Sequence, residues 1–220
     1  MYKKHDLINT PSQDTIIWKY MDLWKFLDLI DNKKLYLNRV DLFEDNLEGL
    51  FPERNYFSDI INEPLKKLRI NKFITCFTSC NTENYAMWKI YTNPEYGIAL
   101  KSNTKRLIKS LSNEEKEILI GEVEYLDIEN ITTPFHIDNK QIFINCFTKR
   151  TYFEYEKEIR LYLDIKENTN NIKGLKIKIN ITDFIEEIYI SPFATESFKK
   201  LIELKLKESN LNIPIYKSKI

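Results

Sequence analysis

The stretch from Glu156 to Ile165 constrains this chain more than any other. Its residue types alternate with a period of two. Glu156, Glu158, Arg160, Tyr162 and Asp164 fall on one side, and Lys157, Ile159, Leu161, Leu163 and Ile165 on the other. Extended backbone accounts for this, because a strand sends successive side chains to opposite faces. The apolar side predicts burial against a core. The polar side puts two carboxylates and a guanidinium on one face, about 7 Å apart along the strand. Bordering water, that face is an ordinary strand exterior; bordering a cleft, it is a polar site. Lys149-Arg150 just upstream brings cations to the same end of the strand and favours the site.

The chain has 220 residues, of which 43% are hydrophobic, enough for one buried core. The pattern predicts an irregular arm over residues 1–14 and a single α+β domain over 15–220. Lys+Arg and Asp+Glu both total 33. That balance gives no broad basic footprint for nucleic acid. No apolar run approaches the ~20 residues of a membrane span. The start, Met-Tyr-Lys-Lys-His-Asp, has no apolar region behind its lysines. A cytoplasmic protein without a signal peptide is the expectation.

Cys76, Cys80 and Cys146 cannot pair completely and read as reduced thiols. Cys76 and Cys80 with His5 and His136 fit no common zinc spacing, so no structural metal is expected.

Strands are predicted near 15–20, 35–37, 73–79, 96–101, 121–127, 157–165, 175–179, 188–191 and 213–220. Helices are predicted near 22–30, 52–68, 82–91, 105–111, 113–117, 139–147 and 195–208. Residues 39–51 read as an acidic loop. The elements do not alternate strictly as βαβ units. That favours an α+β fold with a mixed, mainly antiparallel sheet and packed helices. Only four glycines occur, Gly49, Gly97, Gly121 and Gly174, too dispersed for a phosphate-cradling loop. No nucleophile elbow or His-Glu-x-x-His motif is present.

Several segments appear in an order that resembles a bacterial family known as domain of unknown function 2971. They are Ile17 to Leu23, Leu35 to Arg39 with Asp45 to Gly49, Ala86 to Tyr91, Tyr96 to Leu100, Lys149 to Arg160, and Ile188 to Pro192. Phe153 stands where that family often has tryptophan. The acidic loop lacks the proline that often follows its aspartate. The family has no settled activity.

A fainter likeness is to ADP-ribosyltransferase-type domains, carried by Trp18-Lys19-Tyr20, Phe77-Thr78-Ser79 and Glu156-x-Glu158 in that order. It implies an ADP-ribosyltransferase-like fold and NAD as substrate. The implied function is an ADP-ribosyltransferase or NAD glycohydrolase, used as a bacterial toxin or phage-defence effector. Glu158 would then be catalytic, with Glu156 assisting. A carboxylate there would stabilise an oxocarbenium-like transition state. Tyr20 or Tyr91 would stack on nicotinamide, and Thr78 and Ser79 would border the cleft. Lys149, Arg150 and Arg160 would meet the pyrophosphate.

Two other readings fit the residues. In a metal-dependent nuclease or phosphodiesterase, Asp45, Glu48, Glu156 and Glu158 would hold Mg²⁺ with Lys149 beside the phosphate. In a non-enzymatic sensor or adaptor, the charged strand face would be solvated or ion-paired. The expected partner is a nucleotide or other small-molecule ligand.

Overall fold

Helix and strand boundaries follow local chemistry closely. The computed structural model describes residues 1–43, 69–127, 139–166, 169 and 171–220. The chain enters on β1 (Tyr2–Lys3) and β2 (Ile16–Asp22), then α1 (Leu23–Asn32) and β3 (Lys34–Arg39). Next come β4 (Lys72–Ser79), α2 (Tyr85–Tyr91), β5 (Gly97–Asn103), α3 (Thr104–Ser110), β6 (Ile118–Glu122) and β7 (Glu124–Leu126). After α4 (Asn139–Asn145), β8 (Thr148–Arg150) and a 3-10 turn (Thr151–Glu156), β9 runs from Glu158 to Asp164. The chain closes with β10 (Gly174–Lys178), α5 (Ile181–Phe184), β11 (Glu187–Ile190), α6 (Glu196–Glu208) and β12 (Ile215–Lys217).

Helix α1 buries Phe26, Leu29 and Ile30 at helical spacing, and the left-handed Lys33 (φ 50°) ends it. Helix α6 buries Phe198, Ile202 and Leu206. The side chain of Thr195 caps its start by accepting from the Phe198 amide.

The main sheet has ten strands in the order β1-β6-β9-β4-β2-β5-β11-β12, with β3 beside β4 and β10 outside β3. Within it, β1–β6 and β11–β12 are parallel and the other pairs antiparallel. This is the mixed, mainly antiparallel α+β architecture expected from the sequence.

Strand β4 is shared. Its first half pairs with β3 through Phe73 and Ile74, and its end pairs with β2 through Thr78 and Ser79. Lys19 of β2 fills the fork between them. Its Nζ donates to Thr75 Oγ1 (2.7 Å) and the Cys76 carbonyl (3.0 Å) and lies over the Phe77 ring. Burial pulls this amine down to about 8.

One sheet face meets the large core built around Phe26, Phe77, Ile159, Leu161, Leu163 and Phe184. The other face is covered by two smaller clusters. Val40, Ile74, Phe143, Cys146, Phe147 and Tyr162 form one; Trp18, Trp88 and Ala99 form the second. Strand β9 is therefore buried on both faces from Glu158 to Leu163. Gly121 is required for this packing. A Cβ there would lie 2.8 Å from the Phe147 ring and 3.0 Å from Ile8 Cδ1.

Several expectations need correction. The first residues, read as an irregular arm, contribute β1 against β6. The strand read over 121–127 breaks at Val123, and its second part, β7, pairs parallel with β8 in a separate small sheet. Helix α2 begins at Tyr85 rather than near 82, because the Asn84 side chain accepts from the Ala86 and Met87 amides and fixes the start. No helix forms at 113–117, where the Glu114 carboxylate instead accepts from the amides of Glu115, Lys116 and Lys178. Helix α5 gave no usable periodicity in only four residues. The predicted helix over 52–68 lies outside the described residues, as does most of the acidic loop.

Candidate functional site

The sharpest departure from the sequence reading is at the start of β9. Glu156 does not share a strand with Glu158. It ends the 3-10 turn, and Lys157 follows in the left-handed conformation (φ 44°) before β9 begins. Alternation of residue types looked continuous across this kink because a left-handed residue carries no compositional mark here. The turn folds Glu156 back, and the two carboxylates converge on one cation instead of standing a strand repeat apart.

That cation is Lys149. Its Nζ, delivered by β8, lies 2.5 Å from Glu156 Oε2 and 2.9 Å from Glu158 Oε1. Arg160 Nε donates to Glu158 Oε2 at 2.6 Å, and its Nη1 donates to the Cys146 carbonyl at 2.8 Å. The Tyr91 hydroxyl, at the end of α2, donates to Glu156 Oε1 at 2.5 Å. Each of the four carboxylate oxygens thus faces a donor. Relative exposures are 2% for Glu156, 7% for Glu158 and 0% for Arg160, against 40% for Tyr91. The charged side chains are thus buried, and Tyr91 is the exposed member of the cluster.

The surroundings explain how the cluster tolerates burial. Lys149 also lies over the Phe153 ring at 4.5 Å, and the Arg150 guanidinium lies 5.4 Å from the centre of the same ring. The Tyr125 hydroxyl accepts from the Glu158 amide at 2.8 Å, and the Glu158 carbonyl accepts from the Val123 amide.

Electrostatics separate the two glutamates. Burial drives Glu156 up to about 7, reinforced by its hydrogen bond with Glu158 and opposed by Lys149 and Tyr91. Burial would also raise Glu158, but the Arg160 charge, the proton on Glu156 and Lys149 outweigh it and hold this carboxyl well below the usual range. The two carboxyls titrate as a pair, and Glu156 takes up a proton before Glu158 does.

The pair has a stability signature. Glu156 is protonated more readily in the native state, so its contribution is present below about pH 4.5 and lost as pH rises towards 7. Glu158 is the reverse: its contribution is present above the ordinary carboxyl range and lost on acidification. Together they favour a stability maximum near pH 5. Glu156→Gln should abolish the decline between pH 5 and 7, worth at most roughly 2–3 kcal/mol. Denaturant midpoints across that range measure it; an unchanged slope in the variant contradicts the assignment.

The other candidates fall in two places. Thr78 is buried directly across from Glu158 in the β4–β9 register, and the Ser79 amide donates to the Lys157 carbonyl at 2.8 Å. Both border the cluster. Tyr20 lies further off: its hydroxyl accepts from the Asn84 amide at 2.8 Å and its ring meets Trp88 edge-on at 5.2 Å. Asp45 and Glu48 lie outside the described residues.

Sequence reasoning missed Tyr125, Asn84 and the Cys146 carbonyl. Tyr125 showed only strand alternation, and a backbone carbonyl leaves no trace in residue types. Among the described residues, no group of three or more His, Cys, Asp or Glu side chains is arranged to hold a metal ion. Nor is any helix among them long and apolar enough to cross a membrane.

Comparison with known proteins adds the following. No curated protein sequence matches the chain. Solved structures of DarT from Thermus sp. 2.9 give low-level overall matches. The complex with ADP-ribosylated ssDNA has 11% identity and a TM-score of 0.46, covering 96% of this chain and 98% of that one. The complex with NAD+ has 12% identity and a TM-score of 0.45 over the same shares. Residues 87–161 match the model of a family described as a protein of unknown function, DUF2971, and this segment, which runs from α2 to β9, contains Tyr91, Lys149, Glu156, Glu158 and Arg160.

Proposed function

We propose that this protein is a NAD-handling enzyme of ADP-ribosyltransferase or NAD-glycohydrolase type. The observation that carries the reading is the buried pair of carboxylates, one held ionised by Lys149 and Arg160 and the other bearing an adjustable proton beside a half-exposed rim. Breaking the nicotinamide–ribose bond sends its electron pair to the ring nitrogen, which becomes neutral. Positive charge then develops on the ribosyl carbon. A preorganised carboxylate in a water-poor site stabilises that charge without reorganising. Water or an acceptor nucleophile completes the transfer and loses a proton. Arg150, Lys149 and Arg160 would meet the pyrophosphate, the last two only if ligand entry loosened their ion pairs. In this reading the protein acts as a toxin or defence effector inside a bacterial cell.

Incubation of the purified protein with NAD should release nicotinamide, and Glu158→Gln should cut the rate by about 10²–10³. Growth arrest on induced expression should disappear in the same variant. Absence of nicotinamide release from the folded wild-type protein sinks the reading.

The burial of both carboxylates favours one other reading, a non-enzymatic adaptor in which the cluster only holds β8 to β9. Retained biological activity after both Glu156→Gln and Glu158→Gln selects it. The metal-dependent alternative is less well supported, because a divalent ion at Glu156 and Glu158 must displace donors from oxygens already engaged.

A further inference from the structure

The donors around the carboxylate pair differ in how easily they can leave. Lys149 is buried and bridges both glutamates; Arg160 is wholly buried and also holds the Cys146 carbonyl. Neither can withdraw without leaving a buried charge unpaired. Tyr91 is different. It is the last residue of α2, its ring is substantially exposed, and its hydroxyl makes one hydrogen bond into the cluster, to Glu156 Oε1. The helix does not need to move with it. Trp88, one turn earlier, is buried and anchored by its indole donating to Glu83 Oε2 at 3.0 Å. The Thr92 hydroxyl donates to the Trp88 carbonyl and closes the turn. A rotation of the Tyr91 side chain would free Glu156 Oε1 of its donor, with the Tyr155 hydroxyl remaining beside the same carboxyl.

We infer that the Tyr91 hydroxyl is a built-in substitute for a ligand hydroxyl, and that a ribose-type ligand displaces it to bond Glu156 Oε1. This deepens the proposed function and rests on it for the class of ligand. It also gives Glu156 more than the assisting role expected from the sequence: Glu156 touches the ligand hydroxyl, while Glu158, both of its oxygens held by buried cations, keeps the charge-stabilising role. Burial raises the acid range of Glu156, and the Tyr91 donor opposes that rise. The titratable and charged groups facing it are Tyr91 from α2, Tyr155 from the 3-10 turn, Lys149 from β8, and Glu158 with Arg160 from β9.

The consequence is a closed–open equilibrium in which the Tyr91 hydrogen bond competes with the ligand. Apparent affinity falls by the fraction of molecules that are open, so removing the competing hydroxyl should restore it. The test is calorimetric titration of the full chain with NAD, with ADP-ribose, and with NAD lacking the 2′-hydroxyl of the nicotinamide ribose. Tyr91→Phe, which keeps the ring, should bind NAD and ADP-ribose about tenfold more tightly. Glu156→Gln should bind at least about tenfold more weakly and lose discrimination against the deoxy analogue. A Tyr91 that is only structural would lower Tm and leave affinity unchanged; that result overturns the inference. So does equal wild-type affinity for NAD and its deoxy analogue. Discrimination that follows this pattern without nicotinamide release upholds the inference and sinks the proposed chemistry. Nicotinamide release that is indifferent to Tyr91→Phe and Glu156→Gln does the opposite. Absence of binding by any of the three ligands sinks both.

Discussion

Lys149→Met should destabilise the protein by about 3–5 kcal/mol at pH 8. Methionine approximates the lysine stem, so little packing is lost. What is lost is the charge between Glu156 and Glu158, at side chains 2% and 7% exposed. Two buried carboxylates then face each other with Arg160 bound to only one of them. The cost should be smaller at pH 5.5, because a proton on Glu156 can replace the missing cation. Adding Glu156→Gln should recover at least half of the loss at pH 8, since the uncompensated charge is gone. Chemical denaturation of the two variants at both pH values measures this. Equal losses at pH 5.5 and 8, with no recovery in the double variant, would show that Lys149 contributes through packing alone.

Trp88→Ala should cost about 3–5 kcal/mol and loosen the helix that carries Tyr91. Trp88 is 1% exposed and forms a small cluster with Trp18 and Ala99 on the sheet face opposite the large core. Tyr20 packs edge-on against it, and the Asn84 amide that starts α2 donates to the Tyr20 hydroxyl. Removing the indole empties the space between α2 and β2 and leaves Glu83 without its donor. Fluorescence-detected denaturation gives the stability loss. Amide hydrogen exchange should show lost protection confined first to 85–91. Exchange that rises uniformly along the chain would mean that α2 is not an independently loosened unit. Trp88→Phe, which retains a ring, should lose about half as much.

Much of the architecture was legible because it depends on short-range patterns. The apolar side of β9, the recurrence of Leu23, Phe26, Leu27 and Ile30, and that of Phe198, Leu201 and Ile202 each identify an element, although the faces shift: Leu29 and Leu206 are buried and Leu201 is 48% exposed. The same signals failed where they are weakest. Four-residue α5 is too short to show a period. The segment 121–127 alternates through a point where its hydrogen-bonding partner changes from β9 to β8, and residue types do not register a change of partner.

The candidate site was legible in its ingredients and not in its arrangement. Glu156, Glu158, Arg160 and Lys149 stand close together in the chain, so their involvement with one another could be read directly. That all of them are buried could not, because the even-numbered side of β9 looks polar and its cover comes from α2, α4 and the turn before the strand. Tyr91 joins Glu156 across 65 positions, and nothing local to either residue announces the other.

By itself the sequence determined most of the element types, the α+β class and the identity of the charged residues around β9, since these follow from periodicity and side-chain chemistry within a few residues. Only the tertiary structure decided that Lys157 kinks the chain, that one lysine serves two glutamates, and that a tyrosine from a distant helix covers the outer oxygen. Those outcomes depend on which surfaces exclude water together, and desolvation is a property of the packed molecule rather than of any stretch of its chain.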